Sequence, residues 1–286
     1  MTLVTIIQNL SRHICIIITN MEIIAYFASA LIGISLGLIG GGGSILTVPV
    51  MVYLFGVNPL LATSYSLFIV GTTSLVGAYN NFRKGLVNIK TALLFGMSSI
   101  TTVFLIRKFV IPAIPQHLFN LGDFEVTENI MTMVLFAILM LAASIAMISD
   151  KKTSEPEIAV AKPVNLPKLL LYGIGIGIAT GLLGAGGGFL LIPTLVLLVG
   201  MPMKEAVGTS LFIIALNSLI GFVGDLGHFQ IDWFFLLKIS AIATAGIFVG
   251  GYLNKRIHSG KLKKGFGWFV LIMGCYILIK EIFLKN

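Results

Sequence analysis

The chain has 286 residues, 57% of them hydrophobic and only 10% charged, with a mean hydropathy of +1.03. Soluble domains carry about 25% charged residues, so this sequence cannot cover a water-facing surface and reads as a polytopic membrane protein. Its net charge of +8 does not point to nucleic acid. The basic residues sit in short blocks between apolar runs (Arg83-Lys84, Lys151-Lys152, Lys255-Arg256, Lys261 to Lys264), as loop charges that fix membrane orientation do.

Residues 1–20 precede the first long apolar run and are compatible with an interfacial helix. Arg12, an apolar run and Ala28-Ser29-Ala30 resemble a signal peptide, but cleavage there would cut into a repeat described below. Apolar segments then follow at 22–40, 45–55, 60–80, 88–111, 129–148, 168–183, 189–199, 203–223, 233–253 and 267–284. The segments 45–55 and 189–199 are short. At about 1.5 Å per residue, a helix of their length reaches about halfway across a hydrocarbon core. Each follows a glycine cluster, GLIGGGGS at 37–44 and GLLGAGGG at 181–188.

The recurrence is a duplication. Displacing the sequence by 144 lays 33–77 on 177–221, and 20 of the 45 positions are identical without a gap. The matches include Gly37, Gly40, Gly42, Gly43, Pro49, Gly56, Ser66, Ser74 and Gly77 on Gly181, Gly184, Gly186, Gly187, Pro193, Gly200, Ser210, Ser218 and Gly221. Residues 149–167, polar and proline-bearing, read as a linker between membrane repeats at 21–148 and 168–286. A second polar loop, 112–128, carries Asp123, Glu125 and Glu128.

If each glycine cluster tips a hairpin made by one long and one short segment, three full spans follow it. Each half then crosses an odd number of times, which makes the halves inverted relative to one another. The expected fold is all-α: two inverted repeats with eight full transmembrane helices and two half-helices. Loop charge agrees, because 81–90 holds Arg83, Lys84 and Lys90 while its equivalent near 224–232 holds Asp225, His228 and Asp232. Placing Arg83 in the cytoplasm puts thirteen of nineteen Lys and Arg residues inside. Arg12, Arg107, Lys108, Lys280 and Lys285 dissent, and Lys238 lies within a span.

Irregular backbone at membrane depth is tolerated only inside protein or beside a cavity. One reading of the glycine runs is close helix packing. The other is a helix break whose free N–H groups, with the helix dipole, attract anions. Duplication and the half-length helices favour the second, with Pro49 and Pro193 expected in the first turn, where a missing N–H costs little. The candidate binding residues at the breaks are Gly42, Gly43, Ser44, Gly186, Gly187 and Gly188. The next helix in each half adds a small, hydrogen-bonding stripe: Ser66 and Thr73 in the first, Ser210 and Asn217 in the second. These side chains would equally serve to satisfy neighbouring helices.

The segments GLIGGGGSILTVPV with LLATSYSLF, GLLGAGGGFLLIPT with EAVGTSLF, and HFQIDW at 228–233 resemble the TauE/SafE family of sulfite exporters and related permeases. The resemblance covers roughly 33–111 and 173–253. It implies a plasma or bacterial inner-membrane permease for small anions, often sulfur-containing ones such as sulfite, sulfoacetate or thiosulfate. Two departures stand out. Residues 85–88 read GLVN, which leaves Asn88 where the family usually has an aspartate. The span at 96–111 lacks the small-residue spacing of Gly246, Gly250 and Gly251.

No GxxxxGK[ST] motif occurs, so transport is expected to be secondary or facilitated, with no cofactor. Proton coupling needs an ionisable group on the path, and Asp225, His228 and Asp232 are the candidates, although a solvated loop also accounts for them. Cys15 and Cys275 show no paired spacing, and His13, His117, His228 and His258 no ligand spacing, so neither a metal site nor an intramembrane enzyme is expected. The expected partners are a small anionic substrate and the lipid bilayer, with no nucleic acid. A passive anion channel is the alternative, and nothing in the sequence specifies an oligomeric state.

Overall fold

A computed structural model of the chain describes residues 24–38, 40–115, 117–121, 124–149, 166–254 and 259–283. The segment 1–20 and nearly all of the 149–167 linker lie outside the described residues.

Helix α1, Ile24–Leu38, leads into a 3₁₀ turn, Gly40–Leu46, and the short α2, Thr47–Tyr53. Helix α3 spans Pro59–Arg83. It starts where Pro59 pre-sets the backbone and the Asn58 side chain accepts the Leu60 N–H at 3.0 Å. Helix α4, Ile89–Leu105, continues through a π-helical turn at Ile106–Val110. After the strands β1 (His117–Leu121) and β2 (Phe124–Thr127) comes α5, Glu128–Ile148, with Thr127 as its N-cap. The second half comprises α6 (Leu166–Leu183), α7 (Gly188–Val199), α8 (Met203–Asp225), α9 (Trp233–Asn254) and α10 (Ser259–Phe283).

Helices α3 and α8 form the centre. In α3, 72% of the membrane-length window is buried and in α8 67%, against 33–39% in α4, α5 and α9. Their contacts obey the 144-residue displacement. A Cβ on Gly77 of α3 would come within 3.3 Å of Leu211 of α8, and one on Gly221 of α8 within 3.2 Å of Leu67 of α3. Displacement exchanges these two contacts, a reciprocity that a two-fold relation between the halves generates.

The flanking pairs repeat the pattern. Gly33 and Gly37 of α1 face the backbone of α9 around Ala243 and Ile247, while Gly246 and Gly250 of α9 face α1 around Ala30 and Ile34. In the equivalent pair, Gly177 and Gly181 of α6 face Thr102 and Ile106 of α4. Glycine stands on both sides of one contact and on one side of the other. That asymmetry accounts for the small-residue spacing missing from 96–111.

Two expectations are revised and one is met in part. The polar loop at 112–128 contains the antiparallel hairpin β1–β2, which pairs Asn120 with Glu125, so the chain is helical apart from this extramembrane element. Among the described residues, five helices are long and apolar enough to cross a membrane (α3, α4 with its extension to Ala113, α5, α8, α9), while Ile24–Leu38 and Pro167–Leu183 are shorter. Pro193 lies inside α7 rather than in its first turn. Having no N–H, it leaves the Phe189 carbonyl without its usual helical donor.

Candidate functional site

The two glycine breaks touch. A Cβ on Gly41 would collide with the backbone of Gly188, and one on Gly188 with that of Gly41. Each break also folds back on the helix before it: Gly43 lies against Ser35 and Leu36, and Gly187 against Thr180. Packing therefore requires several of these glycines. Gly40 and Gly184, related by the displacement, share a left-handed backbone at φ 72° and 65°, a conformation that costs glycine nothing.

The N–H groups do not lie where the sequence suggests. The first break winds as a 3₁₀ helix from Gly40, so the donors its first turn leaves are the N–H groups of Gly40 and Gly41 rather than those of Gly42, Gly43 and Ser44. In that turn Ser44 donates its hydroxyl to the Gly41 carbonyl at 2.8 Å. In the second break, Leu190 and Leu191 both donate to the Gly187 carbonyl, at 3.0 and 3.1 Å. The first-turn donors left by those bonds are Gly188 and Phe189. Gly187 caps α7 in a left-handed conformation, with no side chain to satisfy them. Gly186 is left-handed as well, at φ 68°.

Beside the breaks run the hydroxyl stripes. Ser66 and Thr73 of α3 are fully buried, and their oxygens have no hydrogen-bond partner among the described residues. Ser210 of α8 is buried too but donates to the Val207 carbonyl at 2.9 Å. Asn217 donates from Nδ2 to Ser99 at 2.7 Å, and its Oδ1 is unpartnered. Ser74 and Ser218, a displacement-related pair absent from the predicted stripes, are likewise buried and unpartnered. Ser218 lies beside the second break, with its hydroxyl within 3.2 Å of the space a Cβ on Gly186 would fill. Val70 touches the same space and sits between Ser66 and Thr73 on α3. An unpartnered buried hydroxyl costs about 1–3 kcal/mol, so the two central helices carry several buried donors that no described residue satisfies.

The strongest electrostatic feature is one that sequence patterns passed over. Arg107, within the π-helical turn that ends α4, is wholly buried. Its Nη1 donates to the Asp225 carboxylate at 3.0 Å and to Thr63 Oγ1 at 2.9 Å. Asp225 ends α8 and is also wholly buried. Arg107 Nε and Nη2 have no partner among the described residues, and Nη2 lies within 2.7 Å of where a Cβ on Gly184 would sit. The pair thus abuts the second glycine break. Its sequence signal was Arg107's dissent from the charge rule. An arginine that breaks that rule within an apolar span needs a buried partner.

The three coupling candidates separate. Asp225 is buried in this ion pair, while the His228 ring is exposed and its backbone N–H donates to the Asp225 carbonyl at 3.1 Å. Asp232 is an exposed N-cap of α9, accepting the Phe235 N–H at 3.0 Å, and its own N–H donates to Tyr65 at 2.9 Å. Asn88 does the same for α4, accepting from Thr91 at 3.1 Å and donating its N–H to Thr209 at 3.0 Å. Asn and Asp cap equally well, so the departure in GLVN preserves the cap. Asn88→Asp and Asp232→Asn should each leave the melting temperature within about 2 °C, whereas either alanine variant should lose about 1 kcal/mol. Thermal unfolding in detergent checks this. A further buried carboxylate, Glu281 of α10, 2% exposed, accepts a hydrogen bond from Tyr53 of α2 at 3.1 Å.

Displacement carries Arg107 onto Gly251 and Asp225 onto Asn81. At that equivalent place no ion pair stands among the described residues. Gly251 and Asn81 instead line a cavity of about 80 Å³ together with Gly37, Asn80, Lys84 and Phe248. That volume admits several waters or a small anion, and Lys84 and Asn80 stand exposed at its rim.

Comparison with known proteins agrees with the helical, membrane-embedded picture. A family described as "Sulfite exporter TauE/SafE" matches residues 25–277. A "Probable membrane transporter protein" of Xylella fastidiosa (strain 9a5c) is 28% identical over 90% of this chain and 94% of its own length. YunE of Bacillus subtilis, with the same description, is 28% identical over 86% of this chain and 93% of its own. A Methanocaldococcus jannaschii relative, MJ0441, is 36% identical over 39% of this chain and 44% of its own. No solved structure matches the chain.

Proposed function

The chain belongs to the sulfite exporter TauE/SafE family, a multi-pass cell-membrane transporter family, and from that premise we propose that it is a secondary transporter for a small anion. The substrate class is sulfite, thiosulfate or an organosulfur anion such as sulfoacetate. The halves are inverted repeats whose two-fold axis lies in the membrane plane, and the anion binds where their glycine breaks meet.

One observation supports this reading: Ser66, Thr73 and Ser74 of α3 and Ser218 of α8 bury hydroxyls that have no partner among the described residues, and Ser218 lies beside Gly186. An anion with several acceptor oxygens satisfies such donors, and the uncapped N–H groups opening α7 add favourable partial charge. Asn217 Oδ1 is an acceptor and would meet a protonated oxygen or a water. Ser210 contributes only after releasing Val207. The reciprocal contacts of α3 and α8 support the two-fold relation, and the opposite charge of equivalent loops supports its inversion.

The hydroxyls also make a clean test. Removing a group that bonds to nothing leaves no protein partner stranded. A Ser66→Ala, Thr73→Val, Ser218→Ala variant should therefore match the wild-type melting temperature or exceed it by a few degrees. Its uptake of labelled sulfite or sulfoacetate into proteoliposomes should fall at least about tenfold, one hydrogen bond to a charged group amounting to about 1.5–3 kcal/mol. Wild-type flux that neither saturates nor responds to an imposed pH gradient would identify a passive channel instead.

A further inference from the structure

Resting on the anion-transport reading, we propose that the free edge of Arg107 is a binding site for the transported oxyanion, and that Asp225 is the counter-ion it exchanges for that anion.

The chemistry of the guanidinium comes first. Its five N–H groups form two forks, and the side-on fork is made by Nε–H and the Nη2–H beside it. That fork is the one left open. Nη1 serves Asp225 and Thr63, whereas Nε and Nη2 are buried without a partner among the described residues. A wholly buried arginine with two unspent donors carries a desolvation penalty that one carboxylate does not cancel. An oxyanion with two oxygens side by side, as in sulfite, a sulfonate or a carboxylate, fits the fork bidentately. Chloride, a single atom, does not.

Position comes second. Nη2 lies within 2.7 Å of where a Cβ on Gly184 would sit, in the glycine cluster before α7. An anion on the fork therefore lies next to the backbone that the proposed site already uses.

Symmetry comes third. Were the ion pair needed to hold the fold, the place that displacement makes equivalent would need one too. That place is built instead with Gly251 and Asn81 around an open cavity. The architecture closes there without a pair, so Arg107 and Asp225 are an addition at one of two equivalent contacts between the halves. In the state described, one of these places presents a cavity with Lys84 at its rim and the other a filled, ion-paired plug. Exchange of Asp225 for substrate on Arg107 opens the second.

The test is binding of labelled sulfite and sulfoacetate to purified full-length protein in detergent, with melting temperature measured alongside. Arg107→Lys keeps the charge and loses the fork, and it should weaken binding at least about tenfold, the loss of one charge-assisted hydrogen bond. Asp225→Asn removes the competitor, and it should bind as tightly as wild type or more tightly. Chloride in excess should not displace the label. Arg107→Lys that binds within about threefold of wild type overturns the proposal while leaving anion transport standing. So does Asp225→Asn that binds tenfold worse, because Asp225 would then only be holding Arg107 in place. Wild-type protein that binds neither anion overturns this proposal and the transport reading together.

Discussion

Asp225→Ala should destabilise the protein by about 3–5 kcal/mol, because it strands Arg107 as a buried cation with no counter-ion. Both side chains are wholly buried and 3.0 Å apart, so neither water nor salt can take the carboxylate's place at low cost. The loss should appear as a fall in unfolding midpoint that salt barely changes, unlike that of an exposed pair. Arg107→Met combined with Asp225→Leu should recover most of the stability, since apolar replacement of a whole buried pair is often neutral or favourable. Under the role proposed for Arg107, that stable double variant would still transport no oxyanion. Recovery of the fold without recovery of flux separates the pair's chemistry from its packing.

Gly188→Leu should be comparably damaging for a different reason. A Cβ at 188 would run into the Gly41 backbone, and backbone cannot move aside as the end of a flexible side chain can. Overpacking costs about 1–3 kcal/mol where side chains yield, and here the cost exceeds that range. Gly175→Ala on α6 is the control: nothing lies within 4 Å of a Cβ there, and replacing helical glycine gains about 0.5–1 kcal/mol. Thermal unfolding of the two variants side by side checks the contrast. Stability of Gly188→Leu near wild type would mean that the breaks do not meet.

The frame of this protein is legible in one sequence because it was written twice. Apolar segment lengths placed most of the helices to within a few residues, although α10 begins at Ser259, eight residues before the expected 267. The contacts between the helices follow the displacement of 144. Gly41, Gly43, Gly187 and Gly188 are demanded by packing, and the turn before α7 leaves the Gly188 and Phe189 N–H groups without a helical partner. What did not show was anything that depended on helical phase beyond one stripe. Ser74 and Ser218 stood among the repeat's identical positions yet lay outside the stripes of Ser66 and Thr73 and of Ser210 and Asn217. The burial of Asp225 was hidden by its place at a segment end, where a solvated loop is the ordinary outcome. Asp232, equally placed, took that ordinary outcome and caps a helix. Only the partner decides between them, and Arg107 is 118 residues away in sequence. Nor could composition foresee the 3₁₀ start of the first break, which moves its free N–H groups toward Gly40.

The most direct measurement is uptake of labelled sulfite and sulfoacetate into proteoliposomes by wild type and by the Ser66→Ala, Thr73→Val, Ser218→Ala variant. Saturable uptake by wild type, lost at least about tenfold in a variant that melts no lower, is the expected result. Undiminished uptake by the variant, or no uptake of either anion by wild type, would contradict it.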